Sequence, residues 1–308
     1  MRIRLLLTTV AALIVFYDSG VKGAKSQTLT DDQVILMPVS TVDIVDINNC
    51  IASQSEDCRK CATRGISNLS LMNYTLLREA LHAGGLKTEV RPVESPNSER
   101  SRKMVASGAA HVKTDWTFNI AENEDVLETA PVIRSGEIEK GLYANSNLVN
   151  FFAEKSLEGV HELRAVGIRT WRLDWQVLES LNPASLTSAA TKSQLFSLID
   201  AGRADFTLLE FSSSENMGRE IDGIRLFPIA GVKVALPESQ HFMVSRKLKN
   251  ANAVVQALNR GIKTLRQNGF IRQCLVNSGM INPDVDEWRT LPGPVIEQSA
   301  KERASPSN

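Results

Sequence analysis

Residues 193–211 of the chain read SQLFSLIDAGRADFTLLEF, which spells a helix, a glycine stop and a strand. Leu195, Phe196, Leu198 and Ile199 recur at helical spacing and form one apolar stripe. Gly202 stands where a helix end calls for a residue tolerant of the left-handed conformation. Ala204, Phe206, Leu208 and Phe211 then make a buried strand, with Glu210 near its end. Residues 101–116, SRKMVASGAAHVKTDW, have the same grammar. Met104 and Val105 lead to Gly108, then to Ala110, Val112 and Trp116. Setting Gly108 on Gly202 puts Val105 on Ile199, Ala110 on Ala204, Val112 on Phe206 and Trp116 on Glu210, an offset of 94 throughout. This predicts two similar α/β lobes, each ending a strand at a shared cleft.

The chain has 308 residues, enough for two core-bearing domains. Its 43% hydrophobic and 23% charged residues are ordinary for a globular protein. Residues 1–26 read as a secretory signal peptide. Arg2 and Arg4 charge its start, residues 5–16 are apolar, and Ala24-Lys25-Ser26 fits a cleavage site. The apolar stretch falls short of the ~20 residues that span a bilayer. Removing the segment takes away four basic and one acidic side chain, leaving 31 basic against 34 acidic. That balance argues against a nucleic-acid binder, which carries a basic excess. No cysteine near the cleavage site offers a lipid anchor, so a soluble periplasmic monomer is expected.

Outward from the repeat, residues 34–39 read as the first strand, 73–81 as a helix and 87–93 as a strand. A helix ending at Gly108 and a strand over 109–116 complete a β-α-β-α-β order, which predicts a mainly parallel sheet. Residues 117–136 look polar and irregular, and 137–144 carry the crossing into the second lobe. There a strand (163–169), two helices (174–181 and 191–201) and a strand (203–211) follow. Short strands are expected over 224–229 and 233–236, and residues 241–245 read as the return to lobe 1. Residues 253–267 form an amphipathic helix with Val254, Leu258, Ile262 and Leu265 on one face, and 270–276 a further short helix.

Taken together, SGAAHVKTDW, TAPVIRSGEIEKGLYA, LRAVGIRTW, LFSLIDAGRADFTLLE and VVQALNRGIKTLRQNGFIRQC resemble the type II periplasmic solute-binding proteins of the extracellular solute-binding family 3 group. The likeness covers roughly residues 34–288. It implies an α/β fold of two lobes joined by two hinge strands and closing on a small ligand. The domain reading is a signal peptide (1–26), the first part of lobe 1 (30–136) with a cysteine-containing insertion (40–71), lobe 2 (137–237), the return segment of lobe 1 (238–291) and a flexible tail (292–308). Amino-acid-binding relatives usually carry an arginine just after the third strand of lobe 1. This chain has WTFNIAENED there and no arginine until Arg134.

Ligands of parallel sheets bind beyond the carboxyl ends of the strands. The rule selects Ser40, Thr41, Thr114 and Trp116 in lobe 1, and Arg169, Thr170, Trp171 and Glu210 in lobe 2. Arg169 suits an anion, Glu210 an amine or hydroxyl, and Trp116 and Trp171 stacking walls. The four histidines are dispersed and show no metal spacing. Cys58 and Cys61 form a CxxC without the context of a thioredoxin-like protein. With Cys50 and Cys274 they read as structural disulfides in an oxidising compartment, with three full pairings open. No cofactor fingerprint and no catalytic residue set is present. The expected function is capture of a small polar or anionic solute for an ABC-type importer. The alternatives are a same-fold, dehydratase-like enzyme, with Glu210 as an acid or base of raised pKa, and a sensing module that presents ligand to a receptor. The expected partners are thus a small-molecule ligand and a membrane permease or sensor receptor.

Overall fold

The computed structural model describes residues 34–41, 43–52, 69–153, 159–212 and 214–293. The expected signal peptide, most of the expected tail, and Cys58 and Cys61 lie outside them. Among the described residues no helix is long and apolar enough to cross a membrane.

In the first lobe, β1 (Ile35–Ser40) pairs in parallel with β2 (Val90–Ser95). Helices α1 (Ile44–Ala52) and α2 (Leu69–Ala83) lie between them in sequence. Helix α3 (Ser98–Ser107) leads to β3 (Val112–Trp116), which is tied to β1 where the His111 N–H donates to the Leu36 carbonyl at 2.8 Å. Next come α4 (Thr117–Ala121) and β4 (Val126–Ile133), where the sequence suggested only irregular chain. Pro131 and the polar residues of 117–125 blur the periodicity there. The chain leaves through residues 134–138 and returns as β11 (Gln240–Ser245), which inserts between β3 and β4, antiparallel to both. The sheet is therefore mixed rather than mainly parallel, because a strand arriving from the other lobe runs the opposite way.

The second lobe repeats this plan. Strand β5 (Glu139–Ala144) enters first and β6 (Arg164–Gly167) pairs in parallel with β7 (Ser185–Ser188). Strand β8 (Thr207–Glu210) is bridged to β6 through Phe206 and Ala165 and pairs antiparallel with β5. Strand β10 (Ile224–Ala235) pairs with β5 on its other edge. It is one strand with a register shift between Pro228 and Lys233, where two short strands were expected. Strand β9 (Arg219–Ile221) and the short β12 (Arg289–Thr290) also pair with β10. Helices α5 (Ser146–Ala153), α6 (Arg172–Ser180) and α7 (Lys192–Asp200) complete this part of the chain.

The internal repeat holds atom for atom. Asn97 caps α3 by accepting from the Arg100 N–H, and Thr191 caps α7 by accepting from the Gln194 N–H. Gly108 and Gly202 turn the chain with φ of 81° and 66°, a region that favours glycine. The Ala110 N–H returns to the Met104 carbonyl as the Ala204 N–H returns to the Leu198 carbonyl. Each of these pairs differs by 94 in number.

Lobe 1 is closed by the end of the chain. Helix α8 (Ala251–Gln267) buries Val254, Leu258 and Ile262 in one core with Leu76, Leu77 and Leu81 of α2. Helix α9 (Phe270–Asn277) adds Ile271 and Cys274 to it, and Cys50 of α1 belongs to the same core. No described cysteine is a free thiol.

Candidate functional site

The two crossings run side by side. The Leu236 N–H donates to the Ile138 carbonyl at 2.8 Å, and the Gly136 N–H to the Leu236 carbonyl at 2.9 Å. Beside them lies an open cleft of about 520 Å³, lined from both lobes. Its size falls in the range of small-molecule sites, about 300–1,000 Å³. One wall is built from Asn73 of α2, Ser98 and Arg102 at the start of α3, and Thr114, Asp115 and Trp116 at the end of β3. The other is built from Thr170, Trp171, Arg172 and Asp174 around the start of α6, with Lys140 of β5 at the crossing. A smaller pocket of about 190 Å³ opens beside it and shares Asn73, Ser98, Lys113 and Thr114.

Two polar atoms in this lining are buried: Asn73 Oδ1 and Thr114 Oγ1 find no hydrogen-bond partner among the described residues. Buried polar atoms elsewhere are paired as a rule, and leaving one unpaired costs about 1–3 kcal/mol. The cleft walls already touch, since the Arg172 guanidinium of lobe 2 sits 4.3 Å from the ring centroid of Phe118 in lobe 1.

The acids of the cleft are satisfied from within the protein. Asp115 is buried, accepts from the Trp116 N–H at 2.9 Å and the Asn119 amide at 2.7 Å, and pairs with Lys113. Burial works against its charge, but Lys113 and these donors outweigh it and hold the carboxyl below its ordinary value. Lys140 is buried between Asp174 at 2.7 Å and Glu210 at 3.0 Å. Burial would raise Glu210; Lys140 and nearby donors instead pull it down to about 2. A carboxyl so low does not suit the general acid that an enzyme on this fold would need there.

Of the residues selected from sequence, Thr114, Trp116, Thr170 and Trp171 line the cleft. Ser40 lines the side pocket, and Thr41 is exposed outside both. Arg169 is exposed and stands 4.9 Å over the ring of Trp175, away from the cleft lining. Glu210 stands behind Lys140 and reaches the cleft only through that ion pair. Sequence reasoning missed Asn73, Arg102, Lys140, Arg172 and Asp174. The strand-end rule looks only at strand ends, whereas Arg172 and Asp174 sit in the first turn of the helix that follows β6 and Arg102 in the second turn of α3.

No protein-family profile matches the sequence, and no curated protein matches it. Solved structures do. A probable amino-acid ABC transporter extracellular-binding protein of Bacillus subtilis is similar at 10% identity with a TM-score of 0.51, covering 79% of this chain and 96% of that one. The second substrate-binding domain of GlnP from Lactococcus lactis, in an open conformation, is similar at 11% identity with a TM-score of 0.50, covering 81% and 95%. At such identities the likeness is one of fold: two α/β lobes on either side of a cleft.

Proposed function

We propose that this chain, which has the two-lobed fold of the type II periplasmic solute-binding proteins, captures a small polar or anionic solute between its lobes and delivers it to a membrane permease. The single observation that carries the reading is the pair of unpartnered buried atoms, Asn73 Oδ1 and Thr114 Oγ1, in the lining of an inter-lobe cleft. A bound solute would satisfy both. Of the two solved structures named above, one is described as an ABC transporter extracellular-binding protein and the other as a substrate-binding domain.

In this reading lobe 1 comprises 30–136 and 238–291 apart from the end of that segment, where β12 pairs with β10 of lobe 2, lobe 2 comprises 137–237, and the crossings near 134–139 and 235–240 are the hinges. Thr114, Trp116, Thr170 and Trp171 contact the solute, and Ser40 borders it. The chain is exported by its first 26 residues. A ligand that prefers the closed form shifts the lobes towards closure by its differential affinity for that form. Native mass spectrometry of freshly exported protein, followed by calorimetry with the solute recovered, is the test. The expected result is one solute per chain. A chain that leaves the compartment empty and binds nothing from a compartment extract would overturn the reading.

A further inference from the structure

We infer that the solute is a small carboxylate that carries hydroxyl groups and no ammonium group. The inference rests on the solute-binding reading above and narrows it. Four basic side chains line the cleft, Arg102, Lys113, Lys140 and Arg172, against two acidic ones, Asp115 and Asp174. Both acids are spent. Asp115 is held by Lys113, Asn119 and the Trp116 N–H, and Asp174 by Lys140. A ligand ammonium could take either carboxylate only by displacing a buried lysine and stranding its charge, which costs several kcal/mol. The two lysines are spent in the same contacts.

The arginines are not spent. Arg172 has no carboxylate partner among the described residues, and its guanidinium rests on the ring of Phe118. Arg102 is engaged only loosely, 3.6 Å from Asp115 and 3.4 Å from the Ser98 hydroxyl. The two guanidiniums come from opposite lobes and offer planar donor forks suited to a carboxylate. The first turns of α3 and α6, with Ser98 and Arg172, also line the cleft and add the positive end of each helix dipole. Net positive charge with open guanidiniums selects an anion.

The unpartnered atoms specify the rest. Asn73 Oδ1 can only accept, so it needs a donor from the solute. Thr114 Oγ1 takes either role. In a lining with more basic than acidic side chains, a neutral hydroxyl satisfies Asn73 without the repulsion that an ammonium with no free carboxylate would meet. Trp116 and Trp171 supply flat walls against which a carbon chain packs. An aldonate or a hydroxylated dicarboxylate meets all three demands.

The test uses the full mature chain and five probes. D-Gluconate and L-tartrate are hydroxylated carboxylates, D-glucitol has the hydroxyls without the charge, and L-serine and L-glutamate carry the ammonium. Calorimetry and thermal shift should show binding by at least one of the first two and none by the other three at the same concentration. Arg172→Gln, at an exposed position, should weaken that binding roughly ten- to a hundredfold and leave the melting temperature of the unliganded protein unchanged. Thr114→Val should also weaken it. Binding of L-serine, L-glutamate or D-glucitol as strong as that of the hydroxylated acids overturns the inference and leaves the solute-binding reading standing. So does an Arg172→Gln variant of full affinity, or a co-purified solute of another class. Failure of all five probes overturns the inference, and it overturns the solute-binding reading as well when the chain also carries no co-purified solute and binds nothing from a compartment extract.

Discussion

His111 and Asp205, 94 residues apart, make the same two hydrogen bonds to the strand beside them. The His111 N–H donates to the Leu36 carbonyl, and its Nδ1 accepts from the Leu36 N–H at 3.0 Å. The Asp205 N–H donates to the Arg164 carbonyl, and its Oδ2 accepts from the Arg164 N–H at 2.7 Å. In each lobe one side chain substitutes for a backbone carbonyl and stitches the third strand to the first.

This stitch makes lobe 1 sensitive to acid. Burial lowers the His111 pKa from its ordinary 6.5, against the opposing pull of a backbone hydrogen bond. A lowered folded value means that the unfolded chain binds the proton more readily. The contribution is fully present above 6.5 and is lost as pH falls from there through the folded value. Denaturant midpoints measured between pH 7.5 and 5 should show this loss. His111→Asn, which keeps an acceptor at the same reach, should flatten that pH dependence. His111→Ala should cost about 1–3 kcal/mol at neutral pH by orphaning the Leu36 N–H.

Lys140→Met should be among the most destabilising single changes in lobe 2. It leaves Asp174, 7% exposed, without its cation. Removing one partner of a buried pair costs about 3–5 kcal/mol. Urea denaturation at pH 7 measures it, and a loss under 1 kcal/mol would mean that water reaches Asp174. Glu210 adds an acid limb to wild-type stability. Its value of about 2 lies below its ordinary 4.5, so its share is present above 4.5 and lost as pH falls towards 2.

Gly261→Ala should destabilise the protein despite the better helix propensity of alanine. A Cβ at Gly261 would lie 1.7 Å from the Ala80 carbonyl oxygen, and one at Gly84 would lie 1.8 Å from that of Ala257. Helices α2 and α8 therefore meet backbone to backbone. Alanine gains up to ~1 kcal/mol in a helix interior, but overpacking costs about 1–3 kcal/mol and here faces rigid backbone. A thermal midpoint lowered by several degrees is the expected reading.

The cysteines should pair with one bridge inside the insertion and one to Cys274. Cys50 and Cys274 are both buried in the lobe 1 core, which brings the last helix within reach of the insertion. Peptide mapping without reductant identifies the pairs. Cys274→Ser should cost about 2–4 kcal/mol, as expected for a bridge closing a long loop. Recovery of the unmodified thiols of all four cysteines from exported protein would contradict the pairing.

Trp116→Ala should weaken solute binding with the fold intact, because its ring lines the cleft and is only partly packed on the core. Arg169→Ala should leave affinity unchanged, because the side chain stands over Trp175 outside the cleft lining. Calorimetry on the pair distinguishes a cleft residue from a strand-end residue. Equal losses in both would place the solute elsewhere.

The lobe plan was legible because the repeat is carried by residues with strict local demands: left-handed turns at Gly108 and Gly202, and fully buried Val112 and Phe206. Strand β7 was not legible, since Ser185–Ser188 is a short, polar, largely exposed edge. Strand β4 was hidden by Pro131. The cleft was half legible. Thr114, Trp116, Thr170 and Trp171 follow from strand direction, whereas Lys140 and Asp174 meet only through contacts between distant segments, which no local pattern encodes.

The insertion of β11 between β3 and β4 fixes an order of assembly. These two strands are near neighbours in sequence, yet each pairs with β11 and not with the other. Lobe 1 thus keeps an open slot in its sheet until residues 240–245 arrive. All of lobe 2 except the short β12 is synthesised before that segment. Non-local pairing of this kind folds slowly. Lobe 2 is expected to close first as the chain emerges and lobe 1 last, so half of the structure stays incomplete until residues 240–245 have been made.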